Sequence, residues 1–247
     1  RQGRVRKKAH APLSLAQVAM AAKDQHQMTP WNLARGLQAV KRGQKARPGW
    51  FASHGDDMLG VGATPGVDVY DGCFPDYTGK MVDAQLFMDV ITGNTTDPTR
   101  TKVLASGPKD KVFINFVDHG GGKIVAMPNG PYLTADVLNA NIKKMHEKKM
   151  YDKLVFYMEA CNSGSMWDGL LPDDLNVYVT TAANPTEPSW GTYCPPQDMV
   201  NGVAINSCLG DLYSVNWMED SDTKAGQAER LGDQFIKLRA ETNKSHC

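Results

Sequence analysis

The sequence predicts an α/β fold with a mostly parallel central sheet flanked by helices, and three observations carry that prediction. Three short runs, KVFINFV (Lys111–Val117), KLVFYM (Lys153–Met158) and LNVYVTTAA (Leu175–Ala183), are almost continuously apolar. Such runs suit strands covered on both faces rather than strands with one wet face. Between the first two, TADVLNANIKKMHEKKM carries Leu138, Ile142 and Met145 at helical spacing. Finally, the first two runs each give way to a loop of small residues, HGGG and CNSGS. Ligands bind beyond such carboxyl-terminal strand ends in open α/β sheets.

The elements follow in chain order. Residues 1–50 hold eleven Lys or Arg and one acid, Asp24; residues 51–247 hold 16 basic and 26 acidic residues, so the formal net charge of zero hides a basic arm on an acidic body. Such an arm can touch nucleic acid or a membrane surface, but a solvated leader is the simpler reading, and nucleic acid is not expected as a partner. The opening RQGRVRKKAHAPLSLAQVAMAAK has the basic head and Ala-rich end of a signal peptide, interrupted by Gln17. No apolar run approaches the roughly 18 residues of a membrane span. DAQLFMDVITG predicts a helix. Strand 111–117 follows, then the helix from 134, with Thr134 as its cap and cations in its last turn. Strand 153–158 completes a right-handed crossover, which sets the two strands side by side and parallel. Residues 184–210, rich in Pro and Gly, read as loops, and AGQAERLGDQFIKLRAET as a last helix.

That topology brings His119, just past one strand end, to the same rim as Cys161, just past its neighbour. A cysteine becomes a thiolate when a base or cation stands beside it. Glycine-rich loops let backbone N–H groups approach a substrate closely. The pair therefore predicts nucleophilic catalysis, with His119 as base, Cys161 as nucleophile and the N–H groups of Gly120 and Cys161 facing a tetrahedral oxyanion. A zinc site would need Cys or His at closer spacing. GVGATPG (Gly60–Gly66) lacks the lysine and spacing of a phosphate loop. No metal or cofactor is expected. The sequons at Asn94 and Asn243 permit a secretory route.

VFINFVDHGG, KMYDKLVFYMEACNSGSMWDGLL, NVYVTTAANPTEPSWGTYC and CLGDLYSVNWMEDSD, with GVDVYDGCFPDYTGK upstream, resemble the legumain (asparaginyl endopeptidase) family of caspase-like cysteine peptidases. The resemblance runs from about Gly66 to the end. It divides the chain into a peptidase domain over 66–247 and a basic segment over 1–65 that does not match. It implies a caspase-like three-layer sandwich, His119 and Cys161 as catalytic residues, and a pocket for the P1 side chain built from Glu159, Ser189 and Asp211. Peptide bonds after Asn would be cleaved, and after Asp at acidic pH, with peptide ligation as a companion activity. Asp118 corresponds to a position that can form a succinimide. Cys194 and Cys208 resemble a disulfide pair of plant-like members, leaving Cys73 and Cys247 without an assigned partner. Implied partners are protein or peptide substrates and cystatin-type inhibitors, in a lysosome, a vacuole or outside the cell. The family's N-terminal frame, with an Asn that orients the histidine and an Arg that grips the P1 side chain, is not found in residues 1–65, and His26 does not replace it. The alternative reading is therefore a catalytically silent homologue that acts as a binding module. For Glu159 alone, the alternative is a buried carboxylate paired with a cation.

Overall fold

A computed structural model of the chain describes residues 15–21, 76–200, 203–204, 206–222 and 229–247. Its centre is a four-stranded sheet in the order β1-β2-β6-β7, formed by β1 (Leu15–Ala21), β2 (Lys111–Val117), β6 (Lys153–Glu159) and β7 (Val177–Thr181). Every neighbouring pair in it is parallel. Shorter strands make three side ladders. They are β3 (Gly120–Gly121) with β4 (Ile124–Val125) and β5 (Leu133–Thr134), then β8 (Gly191–Thr192) with β11 (Gly210–Asp211), and β9 (Met199–Val200) with β10 (Val203–Ala204).

The sheet is covered on both faces because its strands are apolar on both faces. Val112, Ile114 and Phe116 of β2 and Leu154, Phe156 and Met158 of β6 turn one way. They pack with α1 (Ala84–Ile91) and α2 (Ala135–Glu147) into the larger core. Phe113 of β2 and Val155 and Tyr157 of β6 turn the other way, onto α3 (Leu212–Asp222) and α4 (Leu231–Glu241), with Tyr213, Trp217, Met218 and Leu238. Tyr157 meets Phe113 and Trp217 edge-on, at ring separations of 5.1 and 5.5 Å, the geometry that aromatic quadrupoles favour. Helices, sheet, helices make three layers. Each fully buried Leu, Ile or Phe on either face contributes about 1.5–3 kcal/mol relative to exposure.

Helix α2 behaves as its sequence dictates. The Thr134 side chain caps it by accepting from Val137 N at 3.4 Å, Asp136 lies in the first turn, and Lys144 and His146 lie in the last. Leu138, Ile142 and Met145 are fully buried. Helix α1 is capped by Asp83, which accepts from Leu86 N at 2.7 Å.

The structure departs from the sequence reading in four places, the first being the short strands β8, β9 and β10 within the 184–210 stretch that reads as loops. β7 occupies Val177–Thr181 within the longer apolar run. Leu212–Asp222 is a helix that no sequence period announced. From the unmatched N-terminal segment, Leu15–Ala21 pairs in parallel with the whole of β2, at the edge of the described sheet. Cys73 and His26 lie outside the described residues, as does all of 1–65 except Leu15–Ala21.

Candidate active site

Register fixes the site first. β2 and β6 run in parallel with Val117 opposite Glu159. His119 lies two residues beyond Val117, and Cys161 lies two beyond Glu159, so the two loops leave the sheet side by side. Asp118 N donates to Glu159 O at 3.2 Å, extending the ladder into the loops. A Cβ placed on Gly120 would stand 2.2 Å from the Cys161 carbonyl oxygen. Backbone contact this close between the histidine loop and the cysteine loop admits only glycine.

The histidine loop is held from both ends. Asp118 Oδ1 accepts from His119 N at 2.7 Å, and His119 O accepts from Ala126 N at 2.8 Å. Gly120 and Gly121 then pair with Val125 and Ile124 as a tight hairpin whose Lys123 sits at φ 61°. The His119 side chain is exposed. On the cysteine side, Asn162 takes a left-handed conformation, φ 53°, and turns the chain into a 3-10 turn over Ser163–Met166. Asn and Asp tolerate that conformation better than other residues bearing a Cβ. Asn162 N donates to Glu187 O at 2.8 Å, and Asn162 Nδ2 donates to Pro185 O at 3.0 Å, docking this turn on the 184–189 loop.

That docking sets the next group. Cys161, half-buried, places Sγ 3.8 Å from Ser189 Oγ and 4.0 Å from the Ser189 carbonyl oxygen. Ser189 leads into β8, where Gly191 pairs with Asp211 and Trp190 O accepts from Leu212 N at 2.8 Å. Ser189, two residues before β8, and Asp211 of β11 thus stand on one wall.

Glu159 completes the arrangement. It is 2% exposed, at the end of β6 on the face that meets α3. Its Oε2 accepts from both the backbone N (2.9 Å) and the Oγ (2.8 Å) of Ser214. Its Oε1 and Asp211 Oδ2 are buried with no hydrogen-bond partner among the described residues. Burial pushes the Glu159 carboxyl well above the usual range, and the negative charge of Asp211 adds to the push against hydrogen bonds from Ser214 and Ser189. Burial likewise raises Asp211 to about 7. Neither acid has a salt bridge to a cation among the described residues. Among the described residues the observed partners of Glu159 include the Ser214 donors, and its charged neighbour is another acid, Asp211.

Cys194 and Cys208 are joined by a disulfide, which ties β8 to the segment leading into β11. Cys247 is a free thiol and Cys73 lies outside the described residues. Among the described residues, no cluster of three or more His, Cys, Asp or Glu is arranged to hold a metal, and no helix is long and apolar enough to cross a membrane. Sequence reasoning missed Ser214. The signal was present in GDLYSVNW, but without the helix there was no reason to turn that serine toward Glu159.

The sequence profile of the Peptidase C13 family matches residues 59–247. The chain belongs to the Peptidase C13 family. It is 48% identical over 179 residues to a vacuolar-processing enzyme of Vicia sativa, covering 72% of this chain and 36% of that one. A vacuolar-processing enzyme beta-isozyme 1 of Oryza sativa subsp. indica is 43% identical over 202 residues, covering 81% and 39%. The delta-isozyme of Arabidopsis thaliana is 45% identical over 172 residues, covering 69% and 37%. This C13 chain thus spans well under half the length of these relatives. The crystal structure of caspase-1 from Spodoptera frugiperda aligns with 98% of this chain and 84% of its own, at a TM-score of 0.45 and 12% identity.

Proposed function

We propose that this C13 chain carries the peptidase unit of a cysteine endopeptidase that cleaves peptide bonds after Asn, and after Asp once its pocket is protonated. The observation that carries the reading is the meeting of two loops at one sheet rim, with Cys161 between the His119 loop and a wall holding two buried acids. His119 takes the thiol proton and the Cys161 sulfur attacks the scissile carbonyl. The N–H groups of Gly120 and Cys161 stabilise the resulting oxyanion. Collapse of that intermediate releases the amine, which takes its proton from His119, and leaves a thioester. Water hydrolyses the thioester, or a second amine captures it in ligation.

The P1 pocket in this reading is lined by Glu159, Ser189 and Asp211. An amide NH2 supplies the hydrogens that the buried Glu159 Oε1 and Asp211 Oδ2 lack, and a side chain without donors leaves them unpaired. A P1 carboxylate meets repulsion from an ionised acid pair and enters only when that pair holds protons. Asp118 is the candidate succinimide position, supported by the 2.7 Å approach of its carboxyl to His119 N. Residues 66–247 form the peptidase domain, and β1 extends its sheet from the segment before it. Substrates are proteins and peptides, cystatin-type proteins are candidate inhibitors, and the relatives' names favour a vacuolar setting.

The test is cleavage of an Ala-Ala-Asn reporter by purified protein beside Cys161→Ala and His119→Ala. Cysteine catalysis predicts turnover by the parent and a loss of roughly 10³-fold or more in each variant. Equal turnover by all three sinks the reading.

A further inference from the structure

The register of β2 and β6 brings the His119 and Cys161 loops together but does not lock them, since both have left the sheet by those residues. The lock lies four residues past the cysteine. Ser165 is buried, and its Oγ accepts from Lys123 N at 2.7 Å and donates to Gly121 O at 3.4 Å. One hydroxyl thus spans the tip of the hairpin that begins at Gly120. Ser165 N donates to Asn162 O at 2.8 Å, so the same residue is fastened to the turn that directly follows the nucleophile. Both partners are anchored elsewhere. Lys123 O accepts from Ala135 N at the start of α2 (3.0 Å), and Asn139 of α2 donates to Met166 O (2.7 Å), so the helix braces both sides of the bracket.

The geometry points to Ser165 as a positioning residue that sets the distance and angle between His119 and Cys161. It touches neither substrate nor reacting atoms and acts by holding the histidine hairpin against the cysteine turn. The inference rests on the dyad reading above. Loss of the hydroxyl leaves Lys123 N–H without its acceptor, so the hairpin tip lifts toward water and carries His119 out of line with the sulfur. A misplacement on the order of 1 Å costs about 10²-fold in rate. Substrate binding changes little, because the proposed P1 wall is built from β6, β8, β11 and α3.

The experiment measures alkylation of Cys161 by iodoacetamide across pH, with kcat and KM on the Asn reporter, for the parent, Ser165→Ala, Ser165→Thr and His119→Ala. A thiol paired with imidazole reacts below the pH range of a free thiol near 8.5. The expected result is a Ser165→Ala profile displaced toward that of His119→Ala. Its kcat should fall about ten- to a hundredfold with KM changed less than about twofold, and Ser165→Thr should restore both. A folded Ser165→Ala with the parent's profile and kcat overturns the inference. If Ser165→Ala does not fold, Ser165→Cys, whose sulfur is a weak acceptor, is read by kcat and KM alone, and parental kcat there overturns it equally. Coincident profiles for the parent and His119→Ala fail the dyad itself, an outcome distinct from failure of the bracket.

Discussion

At the scale of the residue, the site is governed by what cannot be added or removed. Gly120 shows no left-handed φ; its constraint is space, with the Cys161 carbonyl oxygen 2.2 Å from any added Cβ. The obstructing atom is backbone, so it cannot swing aside like a side chain end. Gly120→Ala therefore forces the two catalytic loops apart. We expect a loss of about 1–3 kcal/mol in stability and about 10²-fold or more in kcat/KM. Chemical denaturation read beside turnover checks both, and an alanine variant with the parent's activity would show that the loops are not in contact. Ser214 is the complementary case. Its two donors hold one oxygen of Glu159 and leave the other unpartnered among the described residues. A buried carboxylate so fixed can present an acceptor only in one direction, which is how a pocket gains a preference for donors.

At the scale of the element, α1 shows how a short helix is fixed on the sheet. Buried Asp89 accepts from Arg100 Nη1 (2.6 Å), Asn94 Nδ2 (2.7 Å) and Gln85 Nε2 (2.9 Å), and Arg100 also pairs with Asp97 and the capping Asp83. Burial raises the Asp89 carboxyl, but the Arg100, Asn94 and Gln85 hydrogen bonds outweigh it and hold it below its ordinary value. Arg100→Ala removes a charged donor and leaves two neutral ones, for an expected cost of about 2 kcal/mol. Thermal unfolding checks this; a melt within a degree of the parent would place the anchor of α1 in its apolar face alone. Elements were legible in the sequence where one physical signal dominated. β2 and β6 gave continuous apolar runs because both faces are covered. α2 gave a clean stripe with a cap, and Cys161 and His119 were visible because glycine-rich loops follow strand ends. α3 was not legible, since Tyr213, Ser214, Val215, Trp217 and Met218 are all buried and so leave no one-sided stripe. β1 was not legible either, because LAQVAMA is weakly apolar, has a Gln inside it, and gains its partner only through the whole length of β2.

At the scale of the whole molecule, the buried acids set how stability varies with pH. Burial raises Asp211 from an ordinary 3.8 to about 7, and Glu159 moves in the same direction through burial and the Asp211 charge. A carboxyl with a raised folded pKa binds its proton more tightly in the native state than in the unfolded chain. Its full contribution is present below the unfolded value near 3.8, and it is lost progressively as pH rises toward about 7. Asp89 and Glu187 are shifted downward, Glu187 by hydrogen bonds from Asn184 and His246 that outweigh its burial. Their contribution is present above the unfolded carboxyl range and is lost as pH falls through their lowered values. The two groups oppose one another, so the melting temperature should peak in mild acid, near pH 4 to 5 by the ordinary carboxyl values, and decline toward neutrality. Replacing Asp211 by Asn removes one of the two raised carboxyls and should flatten the neutral limb by several degrees, while leaving the strongly acidic limb in place. A parent whose melting temperature rises steadily from pH 4 to 7, or an Asp211→Asn variant with an unchanged slope, would mean that these carboxyls are solvated in the folded chain. A solvated pair would also be a poor selector of P1 amides, so the pH dependence of a simple melt bears on the pocket as directly as any substrate panel.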